Sequence, residues 1–192
     1  YTPDMLDGKT AVISRAAGMA AERGMLVVSS AGNYGQQAWR TLGAPADAHG
    51  IISVGAVDFQ GNRTGFSSTG PSADGRVKPE LMALGREVSL VLKDDVPGTG
   101  SGTSFAAPLI SGLAASLWEK HPHLRADGLR KAIIMGAANY HRPDFLMGYG
   151  IPDFEKSSGI IYGGPGPESL VLFPNPVTLT ASLGFFSGQD QI

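Results

Sequence analysis

One segment constrains this chain more than any other. Ser104–Trp118 follows the glycine-rich string Pro97-Gly-Thr-Gly-Ser-Gly-Thr103. Phe105, Leu109, Leu113 and Leu117 form one stripe at helical spacing, and Ala106, Ile110, Ala114 and Trp118 form a second. A helix apolar on most of its sides belongs inside a domain, with other elements packed around it. Pro108 sets a boundary, because proline has no amide hydrogen and clashes with the turn before it. Proline is tolerated near a helix start, where few amides have partners. The helix is therefore expected to begin within a few residues of Ser104.

Around that helix the sequence predicts alternating helices and buried strands. Val12, Ile13, Ala16, Ala17 and Ala20 repeat at helical spacing, with Asp4 and Asp7 as candidate N-caps and Gly24 as a left-handed stop. Met25–Ser30 and Ile51–Val57 are short apolar runs with β-branched residues, closed by the turn formers of Ala31–Gly35 and Asp58–Asn62. Short strands are expected near Met82–Ala83 and Val88–Leu92. A further helix is expected over Ala126–Ala138, with Leu129, Ala132, Ile133 and Ala137 inward. Helix followed by buried strand implies an α/β fold with a parallel sheet. The composition shifts near residue 157, so residues 1–156 read as one domain. Residues 157–169, rich in Gly and Pro, read as a linker, and in the remaining segment, residues 170–192, Val177–Phe186 has no helical period.

Composition removes several function classes. The net charge of −2 gives no basic surplus for a nucleic-acid partner. With no cysteine there is no disulfide framework, thiol nucleophile or thiolate metal site. No apolar run reaches the ~18 residues a membrane span needs. No acidic cluster has the spacing of a calcium loop. The chain opens on Tyr1 and shows no signal peptide, as expected of a piece of something longer.

Two sites carry candidate chemistry. In Gly102-Thr-Ser-Phe-Ala-Ala-Pro108 a serine opens the buried helix. Unpaired amides at a helix start favour negative charge, so a hydroxyl there can attack a carbonyl while they receive the oxyanion. In Ser29-Ser-Ala-Gly-Asn33 an amide side chain stands at the C-terminal end of a predicted parallel strand, where open α/β sheets place ligands. Each also has a plain reading. Ser104 suits a helix N-terminus, and Asn33 suits a left-handed turn.

Together the segments Ser29–Gly35, Phe66-Ser-Ser-Thr-Gly70 and Gly102–Pro108, in this order, resemble the subtilisin-like serine proteases, the subtilases. Gly43-Ala-Pro45, Ile52–Val57, Lys78-Pro-Glu-Leu-Met-Ala83 and Gly148-Tyr-Gly150 fit the same family, over about residues 4–155. The resemblance implies the subtilisin-like α/β fold, a parallel sheet with helices on both faces, and peptide hydrolysis through an acyl-enzyme on a polypeptide substrate, with no cofactor required. Ser104 matches the nucleophile and Asn33 the oxyanion-hole amide, with the Ser104 backbone N–H as second donor. Ser30, Ala31 and Gly32 match the wall of the pocket for the residue before the scissile bond, and Gly43 its floor. Structural calcium, which subtilases often hold through scattered loop oxygens, stays compatible.

The departure from the family pattern is large. Subtilases order their triad Asp, His, Ser, but the 32 residues before Asn33 contain no histidine. His49, His121, His123 and His141 fall at positions that are not catalytic in the family, and a solvated role is expected for each. The chain would then be the C-terminal half of a catalytic domain and inactive alone. Uncovered sheet edges would make it poorly soluble in isolation. Glu80 and Leu84 replace more usual Asp and Pro residues and are expected in a surface-facing loop. An α/β-hydrolase reading would take Asp127 or His141 as partners of Ser104, although Ala106 stands where its nucleophile turn needs Gly. A binding-module reading would use Gly98-x-Gly-x-Gly102 as a phosphate cradle. Leu170-Val-Leu-Phe-Pro-Asn-Pro-Val177 resembles the opening of the C-terminal β-sandwich sorting domain of type IX secretion in Bacteroidetes bacteria. That tail implies export machinery as a partner and an extracellular or cell-surface location.

Overall fold

The structure is a computed structural model and describes residues 1–162. Its elements in chain order are α1 (Val12–Glu22), β1 (Val28–Ser30), β2 (Ile52–Val57), β3 (Leu81–Leu84), β4 (Val88–Val91), β5 (Pro97–Gly100), α2 (Thr103–Lys120), α3 (Ala126–Met135) and α4 (Phe154–Tyr162). β1, β2 and β3 form a parallel sheet in that order, with Val28 opposite Ile52 and Val54 opposite Leu81. All six residues of β2 are buried, as a central parallel strand requires. β4 and β5 form a separate antiparallel pair.

The core lies where α2 crosses the sheet. Ile52, Val54 and Ala56 of β2 and Leu81 and Ala83 of β3 cluster with Ala106, Ile110, Ala114 and Leu117 of α2. Those α2 positions are four, four and three residues apart, one stripe of a helix. α3 adds Leu129 and Ile133, and α4 packs against α3. α1 touches the turn into β2, with Gly18 near His49 and Ala21 near Gly50.

Several expectations change. α2 begins at Thr103, but it is buried on one side rather than on most sides. Leu109 is 46% exposed, and Pro108, Ser111, Gly112, Ala115 and Ser116 are exposed too, because nothing among the described residues covers that flank. Neither Asp4 nor Asp7 caps α1. The N-cap is Ala11, and Asp7 instead closes the preceding turn by accepting from the Lys9 and Thr10 amides. β1 is three residues long rather than six. Pro97–Gly100 is a strand rather than a loop. Its glycines make room for neighbours: a Cβ at Gly100 would lie 2.7 Å from Leu90 and Phe105, and one at Gly98 2.6 Å from Leu92. The phosphate-cradle reading loses its geometry, since Gly98 and Gly100 are committed to that strand.

α4 was also unexpected. Residues 157–162, expected in the linker, are its last six residues of nine, and Ser157 and Ser158 are buried. Ser157 Oγ–H donates to the Asp153 carbonyl at 2.6 Å, and Gly136 approaches Ser157 so closely that a Cβ there has no room. Close packing, not composition, makes this segment helical. The remaining linker, from 163, and the sorting-domain resemblance over 170–192 lie outside the described residues.

Candidate active site

The N-terminus of α2 meets the loop that follows β1. Ser104 stands in the first helical turn with its side chain exposed. First-turn amides have no intrahelical acceptor. The Thr103 N–H donates to Asn33 Oδ1 at 2.9 Å, and the Phe105 N–H donates to the Gly102 carbonyl at 3.0 Å. The Ser104 N–H has no acceptor among the described residues. Pro108 has no N–H to offer the Ser104 carbonyl four residues earlier, so the helix start is loosely bonded on both counts.

Asn33 is held by its oxygen. Its Oδ1 accepts both the Thr103 N–H and the Thr103 hydroxyl, the latter at 3.0 Å. Thr103 Oγ1 in turn accepts the Gly32 N–H at 3.2 Å. With the oxygen occupied, the amide plane is set, and Nδ2 donates to nothing among the described residues. A Cβ at Gly102 would lie 3.3 Å from that nitrogen, so glycine keeps the approach open. One free side-chain N–H₂, one free backbone N–H and an exposed hydroxyl thus share one corner of the molecule. This arrangement can receive a carbonyl and hold negative charge developing on its oxygen.

The loop is built to be rigid. Ala31 is fully buried and donates its N–H to the Val54 carbonyl at 2.9 Å. Gly32 has φ +111°, a conformation side-chain-bearing residues rarely adopt. Ser68 N–H donates to the Gly32 carbonyl at 2.9 Å, and Ser68 Oγ accepts the Tyr34 N–H at 3.1 Å. The Phe66–Gly70 motif is therefore the bed of this loop. Ser30 pairs with Val54 in the sheet, and Gly43 donates its N–H to the Ala31 carbonyl at 2.9 Å. Ser30, Ala31, Gly32 and Gly43, named separately from sequence, are immediate neighbours.

No histidine or carboxylate hydrogen-bonds Ser104 among the described residues. His49 Nε2 lies 3.3 Å from the Asp7 carbonyl and 3.6 Å from Asp74. His123 is exposed, and His141 sits edge-on to Tyr140 at 5.2 Å between ring centroids. His121 departs from its expected solvated role. It is 8% exposed, with Nε2 3.1 Å from Ser158 Oγ, because α4 covers it. Burial holds its imidazole below the usual histidine pKa, and Lys120 adds to the effect. Asp127, the alternative partner, is engaged by Lys131 at 2.8 Å and Arg130 at 3.9 Å.

Glu80 and Leu84 are not in a surface loop. Leu84 ends β3 opposite Val57. Glu80 is buried, and its Oε1 meets the Lys78 ammonium at 2.6 Å. Its Oε2 accepts the Ser53 N–H at 2.7 Å and the Ser53 hydroxyl at 2.6 Å. Lys78 is 1% exposed and also donates to the Ala48 carbonyl at 3.1 Å, tying the loop after Gly43 to β3. Burial pulls the Lys78 pKa below the ordinary lysine value, with Glu80 opposing it. A charged pair in Lys-Pro-Glu looks solvated in sequence, and only the partner Ser53 reveals otherwise. Thr103 was missed as well, because its role exists only once Asn33 is beside it.

Comparison with known proteins gives the family. The sequence profile of the Subtilase family (Peptidase_S8) matches residues 3–150. The chain belongs to the subtilase family. It is 34% identical over 152 residues to Subtilisin DY of Bacillus licheniformis, covering 79% of this chain and 53% of that protein. It is 32% identical over 140 residues to Subtilisin E of Bacillus subtilis (strain 168), covering 72% of this chain and 35% of that one. The fold resembles the self-cleaved protease domain of PatA, with TM-score 0.65 and 24% identity over 78% of this chain and 55% of that chain. The subtilase chain thus spans about half the length, or less, of these relatives. No helix among its described residues is long and apolar enough to cross a membrane. No group of three or more His, Asp or Glu side chains converges there as a metal shell would need.

Proposed function

We propose that these residues are the nucleophile and oxyanion half of a serine endopeptidase. Ser104 Oγ attacks the carbonyl carbon of a peptide bond. The resulting oxyanion takes hydrogen bonds from Asn33 Nδ2 and the Ser104 N–H. Collapse expels the amine and leaves an acyl-enzyme on Ser104, which water then hydrolyses. The wall Ser30–Gly32 and floor Gly43 receive the side chain before the scissile bond. The single observation that carries this reading is the Thr103 clamp on Asn33 Oδ1, which leaves Nδ2 without an acceptor among the described residues, 3.3 Å from where a Gly102 Cβ would stand. An ordinary turn asparagine has no need of that orientation.

The attack needs an acceptor for the Ser104 proton. We infer that an imidazole and its orienting carboxylate come from outside these 192 residues, and that this chain alone does not turn over peptides. The reaction itself draws on no cofactor. An extracellular or cell-surface location, with export through the 170–192 tail, completes the reading. The first test is the coding sequence upstream of Tyr1. An in-frame Asp-Ser-Gly or Asp-Thr-Gly segment followed by a His-Gly-Thr-His-like segment supports it. The second is hydrolysis of casein by the polypeptide from the whole reading frame, set against the 192-residue chain. Equal activity in both would refute the missing-base inference. Activity in neither, with both folded, would refute the protease reading.

A further inference from the structure

The loop that presents Asn33 continues into Tyr34, and the position of that ring is informative. Its backbone is anchored on both sides, by the Tyr34 N–H to Ser68 Oγ at 3.1 Å and the Gly35 N–H to the Phe66 carbonyl at 2.9 Å. The ring turns back over the two glycines of the substrate corner. A Cβ at Gly32 would lie 3.0 Å from Tyr34 Cδ2, and one at Gly43 would lie 3.2 Å from Cε2. The phenol oxygen would be 4.0 Å from that second Cβ. Trp39 supports the ring edge-on, with centroids 6.1 Å apart, and is itself fixed by its Nε1–H to the Leu42 carbonyl at 2.7 Å. Tyr34 remains 38% exposed, so its far side faces solvent.

Two glycines side by side normally leave a hollow, since neither fills the space above its Cα. Here the ring of Tyr34 stands in that space. We propose that Tyr34 sets the size limit for the residue on the acyl side of the scissile bond, restricting it to Gly, Ala or Ser. This rests on the protease reading above. A large side chain entering beside Asn33 must displace the ring from both glycines and from Trp39. A methyl group need not. Discrimination in an apolar pocket runs to about 10–200-fold per methylene, so excluding a benzyl group should cost at least tenfold.

The test measures kcat/KM of the polypeptide from the whole reading frame on peptide p-nitroanilides that differ only in that residue: Ala, Leu or Phe. The unmodified protein is expected to favour Ala over Phe by at least tenfold. Tyr34→Gly and Tyr34→Ser are expected to move that ratio toward Phe by at least tenfold. Tyr34→Phe, which keeps the ring, should leave the ratio unmoved. A native preference for Phe or Leu would overturn the inference without any variant being made. So would a ratio indifferent to Tyr34→Gly in a folded, active enzyme. Failure to cleave any of the three substrates, or equal cleavage by Ser104→Ala, would remove the protease reading and this inference with it.

Discussion

Two polar clusters in this chain use similar hydrogen bonds to opposite ends. Around Glu80 both carboxylate oxygens are occupied, by Lys78 and by the Ser53 amide and hydroxyl, and the pair is buried. Around Asn33 the oxygen is just as fully bonded, yet Nδ2, the Ser104 N–H and the Ser104 hydroxyl face outward without partners among the described residues. The first cluster ties a loop to β3. The second fixes its donors while leaving them open to solvent. Polarity alone does not separate a structural from a functional group. What separates them is which side of the group the protein satisfies, and which it leaves open.

This contrast can be broken from either end. The largest effect is expected at Ser104: in the polypeptide from the whole reading frame, Ser104→Ala should lower kcat about 10⁶-fold with an unchanged thermal midpoint. A loss under tenfold would take Ser104 out of the chemistry. At the structural end, Lys78→Met strands a buried carboxylate. It should cost about 3–5 kcal/mol in urea unfolding. A loss near zero would mean that Glu80 is readily hydrated. Asn33→Ala should lower kcat about 10²–10³-fold, the size known for the oxyanion donor of subtilisin itself, with little change in KM.

Smaller effects sharpen the comparison. Thr103→Val removes the hydroxyl clamp but keeps the amide clamp. It also frees the Gly32 N–H, and of the two bonds lost the one to Asn33 Oδ1, worth about 1 kcal/mol, predicts roughly a fivefold fall in kcat, readable against an unmoved KM. The smallest effect is a pH dependence at His121. Its folded pKa is depressed by burial below the ordinary 6.5. Its contribution to stability is therefore full above about pH 6.5 and is lost as pH falls through the folded pKa. Urea midpoints at pH 7.5 and pH 5 should differ less in His121→Gln than in the unmodified chain.

Much of the frame was legible because period and composition report burial directly. The start of α2 follows from Pro108, the inward face of α3 from Leu129, Ala132 and Ile133, and the buried β2 from Ile52–Val57. The misreadings share one cause, which is that partners distant in sequence decide them. Ser157 looked like linker until Gly136 closed on it. Gly98 and Gly100 looked like loop until Leu92, Leu90 and Phe105 needed their space. Glu80 looked exposed because Ser53 lies 27 residues away.

The sequence by itself determined the family and the parallel α/β class, and it put Ser104 and Asn33 forward together as the candidate site. Those follow from residue types and order, which survive any detail of packing. The tertiary structure decided the rest. It turned the Asn33 amide so that its nitrogen is free, placed the Lys78 charge in the interior, and laid the Tyr34 ring over Gly32 and Gly43. Each of these depends on a torsion angle chosen by neighbours that touch only after folding, and no local pattern of residues encodes that choice.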